Sequence, residues 1–268
     1  MLVSDIDGTL VTPQKALTPR AAAAVASLAQ AGVAFTLISS RPPLGMASLV
    51  RTLKVRLPFA AFNGGSLVAP DMRLIRTHRL AAQSATRTLA LLTSRGVDTW
   101  VFADGAWLLR DPGGSNVARE RLTVGFEPTT VDSFENVIDR IDKIVGVSDD
   151  HAKLGAVEIE IRRLLGQDAN VERSQLYYLD ITHPKANKGE AVRSLARMIG
   201  VSLRQTAVIG DMTNDVAMFR IAGFSIAMGQ SPPGVRAQAD AATGSNEEDG
   251  FAQAVDRLVL PRAPREGL

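Results

Sequence analysis

The chain opens with the ten residues Met1-Leu2-Val3-Ser4-Asp5-Ile6-Asp7-Gly8-Thr9-Leu10, in which a short apolar run leads to two carboxylates, a glycine and a threonine. The run is too short for a helix, so it predicts a strand. Because side chains alternate along a strand, Asp5 and Asp7 should point to the same side, and Gly8 lets the chain turn away. Two carboxylates this close repel each other unless a cation lies between them, and Mg²⁺ prefers such hard oxygen ligands. A solvated turn after a strand is the alternative, since Asp and Gly are common in turns.

The composition is that of an ordinary globular protein, long enough for one large domain or two modest ones. Of the 268 residues, 46% are hydrophobic and 22% are charged, and the formal net charge is +2. The basic clusters are short and lack interleaved aromatic residues, which gives nucleic-acid binding little support. The sequence contains no cysteine, which excludes disulfides, thiolate metal sites and cysteine nucleophiles. Neither a signal pattern nor a membrane-length apolar run is visible, so we expect a cytoplasmic protein without membrane association.

Predicted strands and helices alternate at both ends of the sequence, which is typical of a parallel, doubly wound α/β sheet. In the first part we predict a helix over 20–31, a buried strand over 33–38, a helix ending near Leu53 and a strand over 59–62. In the last part we predict a helix opened by Lys188, a strand over 206–209, a helix over 215–221, a strand over 224–228 and a helix over 249–260. The tail 261–268 is rich in Pro, Arg and Gly, and we expect it to be disordered.

The pattern changes in the middle of the chain, which holds both tryptophans, both tyrosines and most of the polar turns. We predict a helix over 82–95 before an apolar run at 99–102, with which 107–109 can pair, and a helix over 154–165 between apolar runs at 141–147 and 176–181. We interpret this block as an inserted α+β module of ordinary domain size. The predicted organisation is a discontinuous core formed by residues 1–80 and 179–268, with the inserted domain at 81–178.

Polar groups that suit phosphate chemistry follow the predicted core strands. Ligands of parallel sheets lie beyond the carboxyl ends of the strands. The residues found there, or at the start of the following helix, are Asp5, Asp7, Ser39, Ser40, Arg41, Lys188, Asp211, Asn214 and Asp215. Together they offer a metal site, donors for phosphate oxygens and a nucleophile, which phosphoryl transfer requires.

These motifs resemble those of haloacid dehalogenase superfamily hydrolases, and specifically the Cof-type phosphatases, which carry a cap domain between the second and third motifs. The matching segments are Asp5-Ile6-Asp7-Gly8-Thr9, Ser39 with Arg41, Lys188-Gly189 and Gly210-Asp211 with Asn214-Asp215. Asn63-Gly64-Gly65 and the late Asn246–Gly250 segment also look like this subfamily. The resemblance spans the core from Asp5 to Gly250, and it implies a Rossmann-like α/β core with an inserted α+β cap.

The resemblance implies a Mg²⁺-dependent phosphatase for a small phosphate monoester such as a sugar phosphate. Asp5 would be the nucleophile that forms an aspartyl phosphate, and Asp7 would act as general acid and base. The metal would be held by Asp5, the backbone carbonyl of Asp7 and Asp211, while Asp215 would orient Lys188 and metal-bound water. Phosphate or substrate contacts would come from Ser39, Ser40, Arg41, Lys188 and Asn214.

Two points stay open in the sequence. Ser40 stands where the family usually has Gly; it would be strained if that position needs a positive φ, and harmless if it only donates its N–H. The same nucleophile also serves phosphomutases and phosphotransferases, in which a sugar hydroxyl replaces water, and a non-catalytic phosphate-binding module is a third possibility. The sequence gives no oligomeric state, and the cap, which would exclude water and set specificity, shows no recognisable pattern.

Overall fold

A computed structural model describes residues 1–263, and its strands form three separate sheets. The strands in chain order are β1 (Leu2–Ser4), β2 (Phe35–Leu37), β3 (Phe59–Ala61), β4 (Ser66–Val68), β5 (Leu74–Thr77), β6 (Asp98–Ala103), β7 (Ala106–Leu109), β8 (Thr129–Thr130), β9 (Ile141–Val147), β10 (Asn170–Gln175), β11 (Tyr178–Thr182), β12 (Ala207–Gly210), β13 (Phe224–Ala227) and β14 (Ala241–Ala242).

Helices join most of these strands. They are α1 (Pro19–Gln30), α2 (Ala47–Thr52), α3 (Ala82–Ser94), α4 (Val117–Val124), α5 (His151–Leu165), α6 (Lys188–Ile199), α7 (Val216–Phe219), α8 (Pro233–Arg236) and α9 (Gly250–Ala254). The predicted last helix is not one continuous α-helix, because α9 passes into a π-helical turn at Val255–Val259 and a 3₁₀ turn at Leu260–Arg262. That last turn covers the start of the tail expected to be disordered, and residues 264–268 lie outside the described residues.

The central sheet has five parallel strands in the order β14-β13-β12-β1-β2. Alternation along β1 sends Leu2 to one face, where it packs with helices α1 and α9, and Val3 to the other face, where it packs with α6 and α7. Both faces are therefore covered by helices, as expected for strands with near-continuous apolar runs. The predicted α/β class with a doubly wound parallel sheet is confirmed.

The strand predicted over 59–62 is not a member of this parallel sheet. Strand β3 pairs antiparallel with β4, which pairs with β5 in a three-stranded meander. A single bridge between Ile38 and Ala60 connects the meander to the parallel sheet. That bridge is parallel, and the N–H of Ser39 donates to the carbonyl of Ala60 at 3.0 Å. Strand β3 therefore lies beside β2 in the direction that the connection through α2 predicts, although its longer pairing is with β4.

The inserted segment forms a six-stranded sheet in the order β10-β11-β9-β6-β7-β8. Helices α3 and α5 cover one face, with Leu92 and Leu154 packed against Ile144 and Leu179. The opposite face turns toward the core domain and packs against helix α4 and Phe62. This sheet includes β11 and therefore extends past residue 178, so we propose that the division between core and cap lies after Thr182.

The two connections between the sheets run side by side. The ring of His78 in the first connection stacks on the ring of His183 in the second, with centroids 4.9 Å apart. Within residues 1–263 no helix has both the length and the apolarity needed to cross a membrane.

Candidate active site

The first motif lies at the centre of the parallel sheet, where β1 runs between β12 and β2. Asp5 follows directly on β1, and its N–H still donates to the carbonyl of Ile209, so the sheet fixes its position. Gly8 has a φ of +83°, the left-handed region that glycine adopts without strain. This conformation turns the chain into a hairpin and leaves the Gly8 position so close to Asp211 that an added Cβ would lie 2.6 Å from the Asp211 Cγ atom.

Four charged side chains from three distant segments meet beyond the carboxyl ends of β1 and β12. The Nζ atom of Lys188, the first residue of α6, lies 2.6 Å from Asp5 Oδ1 and 2.5 Å from Asp215 Oδ1. The other oxygen of Asp215 accepts the backbone N–H groups of Asp211 and Met212, each at 2.9 Å. All four charged groups are buried, and Lys188 is only 1% exposed. The predicted residues Asp5, Lys188, Asp211 and Asp215 therefore form one cluster.

The cluster carries more negative charge than its single lysine neutralises. Burial raises the pKa of Asp5 to about 7, against the attraction of Lys188. Burial also raises the pKa of Asp211 well above its ordinary value, and the charges of Asp5 and Asp215 add to that effect. Burial alone would lower the pKa of Lys188, but the two carboxylates beside it raise that pKa above the usual value. An additional cation would remove this imbalance.

The donor atoms of the cluster fit a small divalent cation. Asp5, Asp211 and Asp215 each offer a carboxylate oxygen, and these oxygens all lie within 4.8 Å of one another. Hard oxygen ligands in a buried cluster are what Mg²⁺ takes, usually with one or two carboxylates and retained water. Since Asp215 already binds Lys188 and two N–H groups, Asp5 and Asp211 are the carboxylates with ligand capacity left.

The side chain of Asp7 lies between two cations that are not part of this cluster. Arg41 holds it with two bonds, from Nε to Oδ2 at 2.7 Å and from Nη2 to Oδ1 at 2.8 Å. Lys15 adds a third contact, from Nζ to Oδ1 at 2.7 Å. Burial alone would raise the pKa of Asp7, but Arg41 and Lys15 outweigh it and hold that pKa well below the ordinary range. Because both oxygens of the Asp7 carboxylate already bind cations, its backbone carbonyl is the better metal ligand, which is the ligand that the family resemblance implies.

The loop after β2 presents Ser40 rather than Ser39 to the site. Ser40 borders a small cavity of about 10 Å³ together with Asp5, Asp7, Asp211 and Asn214, and the residues bordering it do not include Ser39. The Ser39 hydroxyl instead accepts the N–H of Arg41 at 3.1 Å, which shapes the loop. Ser40 is not among the residues with a positive φ, so the serine in place of glycine causes no backbone strain there.

Asn214 lies at the edge of the same cavity. Its Nδ2 group donates to Asn63 Oδ1 at 3.2 Å, and its buried Oδ1 has no hydrogen-bond partner among the described residues. Asn63 itself is fully buried and has a left-handed backbone with φ of 54°. The subfamily-like Asn63-Gly64-Gly65 segment thus positions Asn214, and the unpartnered oxygen is available to an incoming donor.

Several residues of the site had not been predicted. A second cavity of about 20 Å³ borders Asp7, Arg41 and Ser40 on the core side, and the cap borders it from four elements. The cap residues are Arg119, Glu120 and Thr123 on α4, Lys143 on β9, and Ser174, Gln175, Tyr177 and Tyr178 on or beside β10 and β11. Lys15 completes the lining from the hairpin after β1. Alternation along β9 and β11 gives which residues share a face, but not that this face covers the core.

Comparisons with known proteins agree with this architecture. The profile described as haloacid dehalogenase-like hydrolase matches residues 2–255. A putative phosphatase of Haemophilus influenzae is 27% identical over 252 residues, which cover 93% of this chain and 94% of that protein. An HMP-PP phosphatase of Cronobacter sakazakii is 27% identical over 234 residues, which cover 87% of this chain and 85% of that protein.

The fold is found in solved structures as well. The crystal structure of a haloacid dehalogenase-like hydrolase from Bacteroides thetaiotaomicron matches with a TM-score of 0.84 and 25% identity, covering 96% of this chain and 98% of that chain. The likeness therefore includes the cap as well as the parallel sheet. Since the family profile also spans nearly the whole sequence, the resemblance noted in the motifs is confirmed, and the chain belongs to the haloacid dehalogenase-like hydrolases.

Proposed function

We propose that this hydrolase is a Mg²⁺-dependent phosphatase that releases phosphate from a small phosphate monoester through an aspartyl-phosphate intermediate. The observation that carries the proposal is the cluster around Asp5, in which a buried carboxylate lies 2.6 Å from Lys188 and beside Asp211. The phosphatase names of the two relatives support the same reaction class.

In the proposed first step, a carboxylate oxygen of Asp5 forms a bond to phosphorus while the bond from phosphorus to the ester oxygen breaks. Asp7 gives a proton to the departing oxygen. In the second step water attacks the same phosphorus, Asp7 takes its proton, and the Asp5–phosphorus bond breaks to release phosphate. Asp5 and Asp7 end the cycle as they began it, so no further reactant is consumed.

Charge repulsion is the main obstacle to the first step, because a carboxylate must approach a phosphate dianion. At ~4 Å each pair of unit charges repels by about 1 kcal/mol in water and about 4 kcal/mol near a protein surface. Lys188 opposes this repulsion from one side of Asp5. When bound by Asp5, Asp211 and the Asp7 carbonyl, Mg²⁺ supplies a second positive charge that stabilises the phosphoryl oxygens. Ser40 borders the same small cavity and has a hydroxyl group that can donate a hydrogen bond to a phosphoryl oxygen.

The contacts of Asp7 prepare it to act as a base in the second step, but it can act as an acid in the first step only after those contacts change. Held by Arg41 and Lys15, Asp7 is ionised in the substrate-free protein and is therefore ready to accept a proton from water. Its role as an acid requires that the substrate draw the two cations away, so that the carboxylate takes up a proton from solvent before the first step; that proton returns to solvent when the product leaves and the cations bind Asp7 again.

The cap must move during the cycle. The cavity that the cap forms with Asp7 and Arg41 has a volume of about 20 Å³, which leaves room for about one water molecule but not for a phosphate ester. A substrate therefore enters only when the cap sheet separates from the loop at Ser40, and closing again would exclude water from the transfer step.

An assay with an aryl phosphate tests the proposed function. We expect phosphate release in the presence of Mg²⁺, a fall below about a hundredth of that rate in excess chelator, and recovery when Mg²⁺ is restored. Release that is unaffected by the chelator would contradict the metal site. Adding a sugar acceptor separates the alternatives: a phosphotransferase transfers the phosphoryl group to the sugar, whereas a phosphatase releases phosphate at an unchanged rate.

A second test concerns Gly8. Replacing Gly8 with Ala places a Cβ against the Asp211 carboxylate and puts a side chain at φ of +83°. We expect kcat/KM to fall roughly a hundredfold, since misplacing a reactive group by about 1 Å has that effect, and the free energy of unfolding to fall by about 1–2 kcal/mol. Steady-state kinetics and chemical denaturation measure the two effects.

Gly32 provides the matched control for this test. It also has a positive φ, of +67°, but a Cβ there would meet no atom within 4 Å. Gly32→Ala should therefore lose no more stability than Gly8→Ala, since only the cost of a side chain at a positive φ applies, and it should keep its activity. If both variants keep full activity, the close approach of Gly8 to Asp211 is not needed for catalysis.

A further inference from the structure

We infer that the cavity between the cap and Asp7 is a cationic subsite, which selects phosphate esters whose leaving group carries a second anionic group, such as a carboxylate or another phosphate. This inference rests on the proposed function and names a substrate class for the same site. The residues that carry it are Lys15, Arg41, Arg119 and Lys143.

The cavity collects cations from four separate parts of the chain. Lys15 comes from the hairpin after β1, Arg41 from the loop after β2, Arg119 from α4 and Lys143 from β9. Among residues 1–263, the carboxylates that border the same space are those of Asp7 and Glu120. Asp7 is shared by Lys15 and Arg41, so its single charge cannot neutralise both of them.

Lys143 is the least expected of these cations, because it is only 4% exposed. Burying an ammonium group is unfavourable, and a well-packed apolar side chain would serve stability at least as well. Its Nζ atom donates to the carbonyl oxygen of Ser40 at 2.9 Å and lies 4.9 Å from the centre of the Phe102 ring. Asp180 is 3.7 Å away on the neighbouring strand and is not part of the cavity wall. The position of Lys143 therefore brings a positive charge from the cap to the loop at Ser40.

Lys15 also occupies a costly position. Its φ is 63°, a conformation that favours glycine or asparagine over lysine. The turn that imposes it directs the ammonium group to Asp7 Oδ1, 2.7 Å away. Strained backbone tends to persist where it positions a functional group, and here it brings a second cation onto a carboxylate that Arg41 already binds with two bonds.

Arg119 contributes a cation that no carboxylate neutralises directly. Among the described residues it has no ion pair within 4 Å, and its guanidinium group lies over the ring of Tyr177 at 4.7 Å. The nearby Arg121 on the same helix behaves differently, since it pairs with Glu127 at 2.7 Å and does not border the cavity. Burial also raises the pKa of Glu120, which weakens the only other negative charge in the wall.

A leaving group with a second anion would give these cations an additional partner of opposite charge when the cap closes, whereas a neutral alcohol would add none. Charge-assisted hydrogen bonds from Arg and Lys to a carboxylate or phosphate are about twice as strong as neutral ones. The subsite should therefore favour anionic leaving groups strongly enough to be measured as a ratio of kcat/KM values.

Two esters of nearly equal size test the inference. 3-Phosphoglycerate and glycerol 3-phosphate differ by a carboxylate in place of a hydroxymethyl group. We expect kcat/KM to be at least about tenfold higher for the carboxylate ester, a difference that one charged contact supplies. In Arg119→Met and in Lys143→Met this ratio should fall at least about fivefold, while Arg121→Met, which removes the same charge from the same helix, should keep the wild-type ratio.

The outcomes separate this inference from the proposed function. Hydrolysis of both esters with a ratio of one or less would overturn the subsite and leave the phosphatase proposal intact. If neither ester is turned over, calorimetric binding of both to the Asp5→Asn protein still measures the preference, and equal affinities would overturn the subsite. Should Lys143→Met not fold, the exposed Arg119→Met carries the test; a ratio unchanged in Arg119→Met would show that its charge does not act on the substrate.

Discussion

Asp5→Asn should reduce phosphate release by at least roughly a thousandfold while leaving the fold intact, because an amide oxygen cannot form the covalent intermediate. The substitution keeps the shape of the side chain and removes one negative charge from a cluster in which only Lys188 is cationic. We therefore expect the free energy of unfolding to stay the same or rise slightly. Initial rates with an aryl phosphate and thermal unfolding measure the two quantities.

Acid-quenched reactions extend this test to the intermediate itself. Mass spectrometry of the wild-type protein should show one added phosphoryl group on the peptide that contains Asp5, and the variant should show none. Asp168→Asn, an exposed aspartate far along the chain, is the control for the chemical change and should keep the wild-type rate. If Asp5→Asn retains even about a tenth of the wild-type rate, Asp5 is not the nucleophile.

The core fold was predictable because its signals are local. Apolar runs such as 206–209 read as strands buried on both faces, and the structure places β12 at that position with helices on either side. Strand β3 lies beside β2 through one parallel bridge, but its antiparallel pairing with β4, and that of β4 with β5, was not predictable because it depends on contacts outside the local pattern.

The cluster around Lys188 was predictable for a related reason: carboxyl ends of parallel strands meet at one edge, whatever the spacing along the chain. The contacts of Asp7 were not. They require that Lys15 adopt a left-handed backbone and that Arg41 turn toward Asp7, and neither follows from the residue types. Lys143 was missed because alternation assigns it to a face of β9, while only the packing of the cap onto the core makes that face part of the site.

Lys188→Met should have the second large effect, and it acts on stability as well as rate. Removing the ammonium group leaves Asp5 and Asp215 buried without their counter-charge, and losing one partner of a buried ion pair lowers the free energy of unfolding by about 3–5 kcal/mol. We expect phosphate release to fall by roughly a hundredfold to a thousandfold, the range found when one electrostatic donor is removed. Chemical denaturation in the presence of a chelator measures the free energy of unfolding of the metal-free protein.

The loss of stability in Lys188→Met should depend on pH, because the missing ammonium group affects the ionisation of Asp5. A carboxyl group whose pKa is raised on folding costs stability once the pH exceeds its unfolded value near ~4, and the cost grows until the folded pKa is reached. Burial already raises the pKa of Asp5 to about 7, and losing Lys188 raises it further. The difference in unfolding free energy between wild type and Lys188→Met should therefore be larger at about pH 8 than at about pH 5.

Two further variants separate charge from geometry at this position. Lys188→Arg keeps the positive charge, so it should recover much of the lost stability, but its larger planar group cannot occupy the same point between Asp5 and Asp215 and should restore little of the rate. Lys185→Met removes an exposed lysine three residues earlier and should change neither quantity. If Lys188→Met were as stable as the wild type at every pH, the carboxylates around it would be neutral in the folded protein. Neutral carboxylates would contradict both the proposed metal site and the proposed role of Asp5 as an ionised nucleophile.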